Sequence, residues 1–531
     1  MKNKSRKFSK LKEQKGGTIL NNDTIRTAVD AWCINKERAE GIYGPISGWN
    51  TSAVTDMSRL FANKTNFNDD ISNWNVAIVT NMEGMFDVAR TFNQDISNWN
   101  VSNVKNMSAM FYDARAFNQP LEQWNVGNVT NMHDMFRGAT NFNQPIGEWD
   151  VSNVNNMEGM FNNAHAFNQP LEQWNVGNVT NMYNMFNNAR TFNQPIGEWD
   201  VSNVIIMVGM FIRASAFNQP LEQWNVGNVT NMQSMFYRAS AFNQPLEQWN
   251  VSNVTTMEAM FYDASAFNQP LEQWNVSNVT HMGYMFCNAR AFNQPIGQWN
   301  VGNVTNMYWM FCNAHAFNQP LEQWNVGNVT DMRCMFFSAS HFNQPLEQWN
   351  VSNVTNMEHM FYAASVFNKP LEQWNVVNVT NMYGMFLHAN AFNQDISNWD
   401  VSNEPNMENM FNQDYNPDFQ PSVERSINRR DYDIFVRELL EVRNKKIQEI
   451  QEKREQNGQT ALTPVQIEKM FGTTTPEQQV FFNPYLTRHI KGKFLGGKKG
   501  RNTRKKGRKT KSKTKKQSKK RKTKKNKKTK K

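Results

Sequence analysis

The chain has 531 residues, of which 39% are hydrophobic, 12% aromatic and 19% charged. That is more length than one ordinary domain needs and too much apolar material for a wholly disordered chain. Its net charge of +11 is unevenly placed: residues 491–531 hold 24 Lys or Arg and no acid, residues 1–16 hold seven basic residues and one Glu, and residues 17–490 carry a net −19. The negative body argues against a nucleic-acid binder that coats phosphates with its own surface and leaves polyanion contact to the basic ends.

Residues 1–20 are basic, with no apolar stretch of the signal-peptide kind, and are expected to be disordered and not to direct secretion. Residues 21–45 open on Asn22-Asp23, and Ile25, Ala28, Val29 and Trp32 then fall on one helical face. A capping helix anchored by Trp32 is expected there.

Residues 46–412 are built on one period. Trp recurs every 25 residues from Trp49 to Trp399, with Met eight residues after each Trp, from Met57 to Met407. A second Met column runs from Met85 to Met410, with Leu60 in the first copy, and two Phe columns run from Phe61 to Phe411 and from Phe67 to Phe392. Self-similarity at such a period is the mark of a solenoid. In the copy Leu121–Pro145, the expected core residues include Trp124, Met132, Met135, Phe136 and Phe142. From Val129 the apolar spacing fits one face of a short helix with Asn128 as its N-cap, and the replacement of Asn-Val-Thr by Asn403-Glu404-Pro405 in the last copy fits a helix start. Pro145 interrupts any continuation, so an extended piece is expected around Asn-Gln-Pro-[Leu/Ile]-x-x-Trp. The expected fold is therefore α/β: about fifteen coils, each with a short strand and a short helix. One such coil cannot cover its own Trp, Met and Phe side chains, so stability comes from stacking. The repeated Asn residues are expected to bond to backbone groups of their own or the next coil. N-x-Ser/Thr matches such as Asn128-Val129-Thr130 are read as structural.

Residues 413–458 are expected to form a capping and then projecting helix, with Tyr432, Phe435, Val436, Leu439 and Leu440 spaced for packing and Asn457-Gly458 as its stop. Residues 459–490 read as linker, and 491–531 as a disordered Lys/Arg-rich tail.

The recurring Trp-[Asn/Asp]-Val-x-Asn-Val-Thr-Asn-Met-x-x-Met-Phe-x-x-Ala-x-x-Phe resembles the 25–26-residue repeat of BspA-like bacterial and Mycoplasma surface proteins, over about residues 42–412. The resemblance implies a leucine-rich-repeat-like solenoid and a role in protein interaction or adhesion, and it carries over no catalytic residue. A repeat array followed by a Lys-rich tail, without an export signal, also looks like proteins encoded by large DNA viruses.

Sites of chemistry are sparse. Cys287 and Cys312 fill one place in adjacent coils, with His315 and Cys334 near by, but closed zinc sites need about four ligands and none is expected here. With four scattered cysteines, reduced thiols in an intracellular compartment (cytoplasm, nucleus or a virion) are expected. No nucleophile–base–acid set and no phosphate-binding glycine loop recurs. The chain is therefore expected to be neither an enzyme nor a cofactor protein, and no apolar run suits membrane insertion. The variable places lie after the first Met and after the first Phe of each copy. Apolar residues collect there at Val208 and Ile212, beside Ile205, and at Tyr284, Trp309, Phe337 and Tyr362, which are the candidate protein-contact residues. In the tail, Lys505, Lys506, Arg508, Lys519, Lys520 and Arg521 are candidates for sequence-blind polyanion contact or a nuclear address. Three functions stay open: a protein-binding scaffold, a nucleic-acid binder acting mainly through the tail, and a surface adhesin.

Overall fold

The computed structural model describes residues 19–457 and 459–471. The basic N-terminus, most of the 459–490 linker and the whole Lys/Arg-rich tail, including Lys505, Lys506, Arg508, Lys519, Lys520 and Arg521, lie outside the described residues. The chain divides into two units, Met1–Asn428 and Arg429–Lys531.

In the first unit, helices α1 (Asn22–Ile34) and α2 (Lys36–Tyr43) precede the coils. The Asn21 side chain accepts from the Asp23 and Thr24 amides and closes a capping box that fixes where α1 begins. Ile25, Ala28, Val29 and Trp32 are buried. Trp32 meets Trp49 of the first coil edge-on at 5.7 Å, and its indole N–H donates to Asp69 at 2.8 Å. Arg26 donates to the Ser58 carbonyl, and the Asn22 side chain accepts from the Thr55 and Asp56 amides at 2.9 and 3.2 Å, so α1 supplies the partners that a preceding coil would otherwise provide.

The coils stack in parallel register, and their interior is one continuous core. In the copy Leu121–Pro145, Leu121, Val129, Met132, Met135, Phe136, Ala139 and Phe142 are fully buried, and Trp124 and Val126 nearly so. The Trp column is tied to the backbone as well as packed: the Trp124 indole donates to the Ile96 carbonyl at 3.1 Å, and the same bond recurs from Trp74 to Trp399, reaching 28 residues back each time. The two Phe columns pair within a coil (Phe136–Phe142, 4.0 Å) and stack between coils (Phe136–Phe161, 5.9 Å).

The local backbone differs from the expected strand plus helix. Among the described residues no coil contains an α-helix, and, besides a bridge of Ile19 to Asn50, the strand pairing is one isolated parallel bridge between successive coils, at the place held by Asn131 and Asn156. It is not at the Asn-Gln-Pro segment. The reason lies in where alternate amides point. Met135, Arg137 and Ala139 donate three residues back within the coil, whereas Met132, Asp134, Phe136 and Gly138 donate to Asn156, Glu158, Met160 and Asn162 of the next. A helix would keep every amide inside one coil, and here half of them tie coils together. This alternation requires left-handed residues at the second and sixth places after the first Met, as at Asp134 (φ 55°) and Gly138 (φ 72°), the third position of turns of the type II kind. Asn128 caps no helix; its side-chain amide donates to the Ser102 carbonyl of the preceding coil at 2.7 Å. Glu404 takes φ 55°, and Pro405, which lacks an amide, leaves Asn406 to make the bond to Thr380.

The repeated polar residues bind coil to coil. Asn125 and Asn131 accept from amides two residues ahead, and the Asn143 amide donates to the Asn118 side chain of the coil before, a pattern that continues to Asn393. At the far end, Tyr415 stacks on Phe411 at 4.2 Å in place of a further Phe, and a 3-10 turn Pro417–Phe419 follows. Helix α3 (Val423–Gln456) begins there, and its buried Ser426 bonds to both Trp399 O and Val401 N at 3.1 Å.

The second unit holds the rest of α3 and α4 (Pro464–Phe471). Gln451 accepts from the amide of the buried Leu462 at 3.0 Å and Arg454 donates to the Thr460 carbonyl at 2.9 Å, folding the connection back along α3. Leu440 is half-buried; the side chains of Tyr432, Phe435, Val436 and Leu439 lie outside the described residues.

Candidate interaction surface

Each coil has surface places that the core pattern leaves free. The fifth place after the first Met is held by Ala62, Asp87, Tyr112, Arg137, Asn162 and Asn187 in the first six coils, and then by Ile212, Tyr237, Tyr262, Cys287, Cys312, Phe337, Tyr362 and Leu387 in eight consecutive coils. On this line the first six coils are mixed, with Ala62 and Tyr112 among polar residues, whereas the next eight are aromatic, aliphatic or cysteine throughout. The second place compensates for size: where the fifth is Cys287 or Cys312 the second is Tyr284 or Trp309, and where the fifth is Phe337 the second is Cys334. The second and fifth places lie three residues apart, in one turn (Cys312 N to Trp309 O, 3.2 Å), so a large ring at one fills the space above a small group at the other.

The result is a ribbon of rings in contact along the stack. Tyr237 and Tyr262 lie parallel at 4.5 Å, Tyr262 meets Tyr284 edge-on at 5.9 Å, Tyr284 stacks on Trp309 at 5.9 Å, Trp309 on Phe337 at 5.5 Å and Phe337 on Tyr362 at 4.6 Å. All are half-buried. The structure therefore brings Tyr284, Trp309, Phe337 and Tyr362 together. Ile212 leads into the same line through the Arg213 amide, which donates to Tyr237 O at 2.7 Å. Val208 is half-buried on the same coil, beside Ile205 and Ile206, which are 48% and 38% exposed and carry no side-chain partner for the Thr and Asn ladders that flank them.

Tyr237, Tyr262, Tyr308, His359, Tyr383 and Leu387 also belong to this surface and are not among the residues singled out from the sequence. Aligning the copies on the first Met and reading the fifth place would have found Tyr237, Tyr262 and Leu387; Tyr308, His359 and Tyr383 stand at the first or second place. Tyr308 reaches across two coils to donate to Glu258 at 2.6 Å, and burial together with that bond raises its phenol well above the ordinary value. It lies over Gly283, where a Cβ would come within 2.8 Å of the Tyr308 ring, so a larger residue there would push the ring aside. Arg238 lies over Tyr237 and Tyr262, and Arg333 over Tyr308 at 5.1 Å, the geometry of cation–π contact. Burial pushes the Tyr262 and Tyr284 phenols up as well, so both stay neutral.

Most of the rings turn their faces toward neighbouring coils and their edges outward. A platform for nucleotide bases or sugars needs open ring faces, whereas outward edges and aliphatic tips suit packing against another protein's side chains.

Among the described residues no group of three or more His, Cys, Asp or Glu is placed to hold a metal ion, and no helix is long and apolar enough to cross a membrane. The expected core residues Trp124, Met132, Met135, Phe136 and Phe142 are all interior.

These features define a tandem-repeat solenoid whose coils are welded by backbone and side-chain ladders. Residues 35–144, 116–222, 164–273, 243–340 and 316–423 each match the family model described as "Mycoplasma protein of unknown function, DUF285", so the chain belongs to that family. A search of curated proteins finds no match to it.

Proposed function

We propose that this protein is a non-enzymatic, leucine-rich-repeat-like scaffold that binds a protein partner along the Ile212–Leu387 ribbon. The observation that carries the reading is the change on one surface line from a mixed run, with Ala62 and Tyr112 among polar residues, to aromatic or apolar residues sustained over eight coils. An unconstrained surface would mix the two along the whole array. Half-buried aromatic and Arg side chains in contact are the composition of interface hot spots. The repeated Asn, Gln and Thr side chains are engaged in coil-to-coil bonds, which favours a structural body over a catalytic one. An intracellular or virion setting, and an origin in a large DNA virus, fit the Lys-rich tail beside such an array.

The test is crosslinking with mass spectrometry in the native host, comparing the wild-type chain with a Trp309→Ser/Phe337→Ser variant. Partner crosslinks near the ribbon are expected to fall at least about tenfold, the effect of losing one hot spot or more. Undiminished crosslinks in a folded variant remove this reading.

A second reading rests on the 24 basic residues of 491–531: sequence-blind nucleic-acid binding through the tail. Full-length protein should then bind nucleic acid in a salt-dependent way and the chain truncated at 490 should not. Binding that survives the truncation would move nucleic-acid recognition to the body.

A further inference from the structure

Three thiols lie together beneath the ribbon: Cys287, Cys312 and Cys334 are all buried, and none is paired. Cys287 and Cys312 hold the same place in adjacent coils. The backbones there are joined directly, the Asn288 amide donating to the Cys312 carbonyl at 2.7 Å. Neighbouring chains bonded in this way run about 4.8 Å apart, within the Cα separation of about 4.4–6.8 Å that disulfides span. Cys334 sits one coil further on, at the second place instead of the fifth, so its side chain leaves from a different point of the turn.

We propose that Cys287 and Cys312 are a disulfide-forming pair, a staple across two coils under the aromatic ribbon. The oxidant is a small disulfide of the glutathione class. The thiolate of one cysteine attacks its S–S bond and releases one small thiol. The second cysteine's thiolate attacks the mixed disulfide, forms the protein S–S bond and releases the other small thiol. Two protein thiols lose two electrons and two protons, and the oxidant's sulfurs gain them. The neighbouring Cys287 side chain and burial hold the Cys312 thiol well above its ordinary range, so thiolate is scarce and the reaction is slow at neutral pH, faster as pH rises. Cys287 and Cys312 close the turns that begin at Tyr284 and Trp309 (Cys287 N to Tyr284 O, 3.0 Å), so the staple pins two rings of the ribbon. The pairing itself does not depend on what the ribbon binds.

Full-length protein is incubated with oxidised glutathione at mildly alkaline pH, digested without reduction and mapped by mass spectrometry. The expected product joins the Cys287 and Cys312 peptides, lighter by two hydrogens than their sum. The thermal midpoint should rise by a few degrees and return on reduction. Cys312→Ser should lose both effects, and Cys334→Ser, which keeps the pair, should retain both. Thiols that stay free, a glutathione adduct that goes no further, or pairing of either cysteine with Cys334 or Cys33 overturns the proposal.

Discussion

Left-handed backbone is the residue-scale condition of this fold, and the chain meets it unevenly. At the sixth place after the first Met, Asn63, Asn163, Asn188, Asn288 and Asn313 all take φ between 53° and 61°, a region Asn tolerates because its short polar side chain can bond locally. Val88 occupies the same place at φ 59°, where a β-branched side chain crowds the following carbonyl. The cost of such a residue is about 1–2 kcal/mol, and Val88 is only half-buried, so little packing offsets it. Val88→Asn should therefore raise the urea midpoint, by about 1 kcal/mol in stability, and Asn63→Val should lower it by a similar amount. A loss of stability in Val88→Asn would mean that the backbone at this place is not left-handed in solution. The requirement was not legible in the sequence. Arg213, Arg238 and Ala363 also fill this column, and a place that accepts Asn, Arg, Ala and Val reads as unconstrained surface although its φ is fixed.

At the scale of the element, the coil was half legible. The Trp, Met and Phe columns were readable because each maps to one interior place at a strict period. The expected short helix is absent for a physical reason. Turns closing three residues back, from Met135 to Met132, from Ala139 to Phe136 and from Phe142 to Ala139, put apolar residues inward at every third or fourth position, the spacing of a helical face. Only the second destination of the amides, the next coil, tells the two apart, and that is a property of the stack. The Trp column shows how each coil is fastened. Replacing Trp124 by Phe removes the indole donor, leaves the buried Ile96 carbonyl without its 3.1 Å partner and opens space beside Trp149. Together these should cost about 2–4 kcal/mol. Because coils interact with nearest neighbours, amide exchange should quicken in the coils of Trp99, Trp124 and Trp149 and stay unchanged around Trp374. Exchange that quickens uniformly from Trp49 to Trp399 would contradict nearest-neighbour coupling.

For the whole molecule, register is the governing quantity. Every ladder advances by one period: the bridge from Asn156 to Asn181, the amide of Asn193 to the side chain of Asn168, and the indole of Trp199 to the carbonyl of Leu171. Removing one whole period leaves each ladder with the same kind of partner, whereas removing half a period sets Trp places against turn places and leaves buried amides unmatched. Deleting residues 171–195 joins Pro170 to Ile196, so the Pro-Ile junction already present at Pro145-Ile146 is recreated and every column is preserved. The product should be a folded chain with one coil fewer, with unshifted tryptophan emission and a thermal midpoint close to that of the parent. Deleting only residues 171–183 joins Pro170 to Asn184 and breaks the columns, and should give red-shifted emission and aggregation. Both cuts fall before Ile212, so the first variant keeps the entire ribbon and should keep its partner crosslinks, which separates the stack's role as a body from the ribbon's role as a surface. Equal tolerance of the two deletions would show that the coils do not depend on register-matched neighbours, and the core described for them could not then exist.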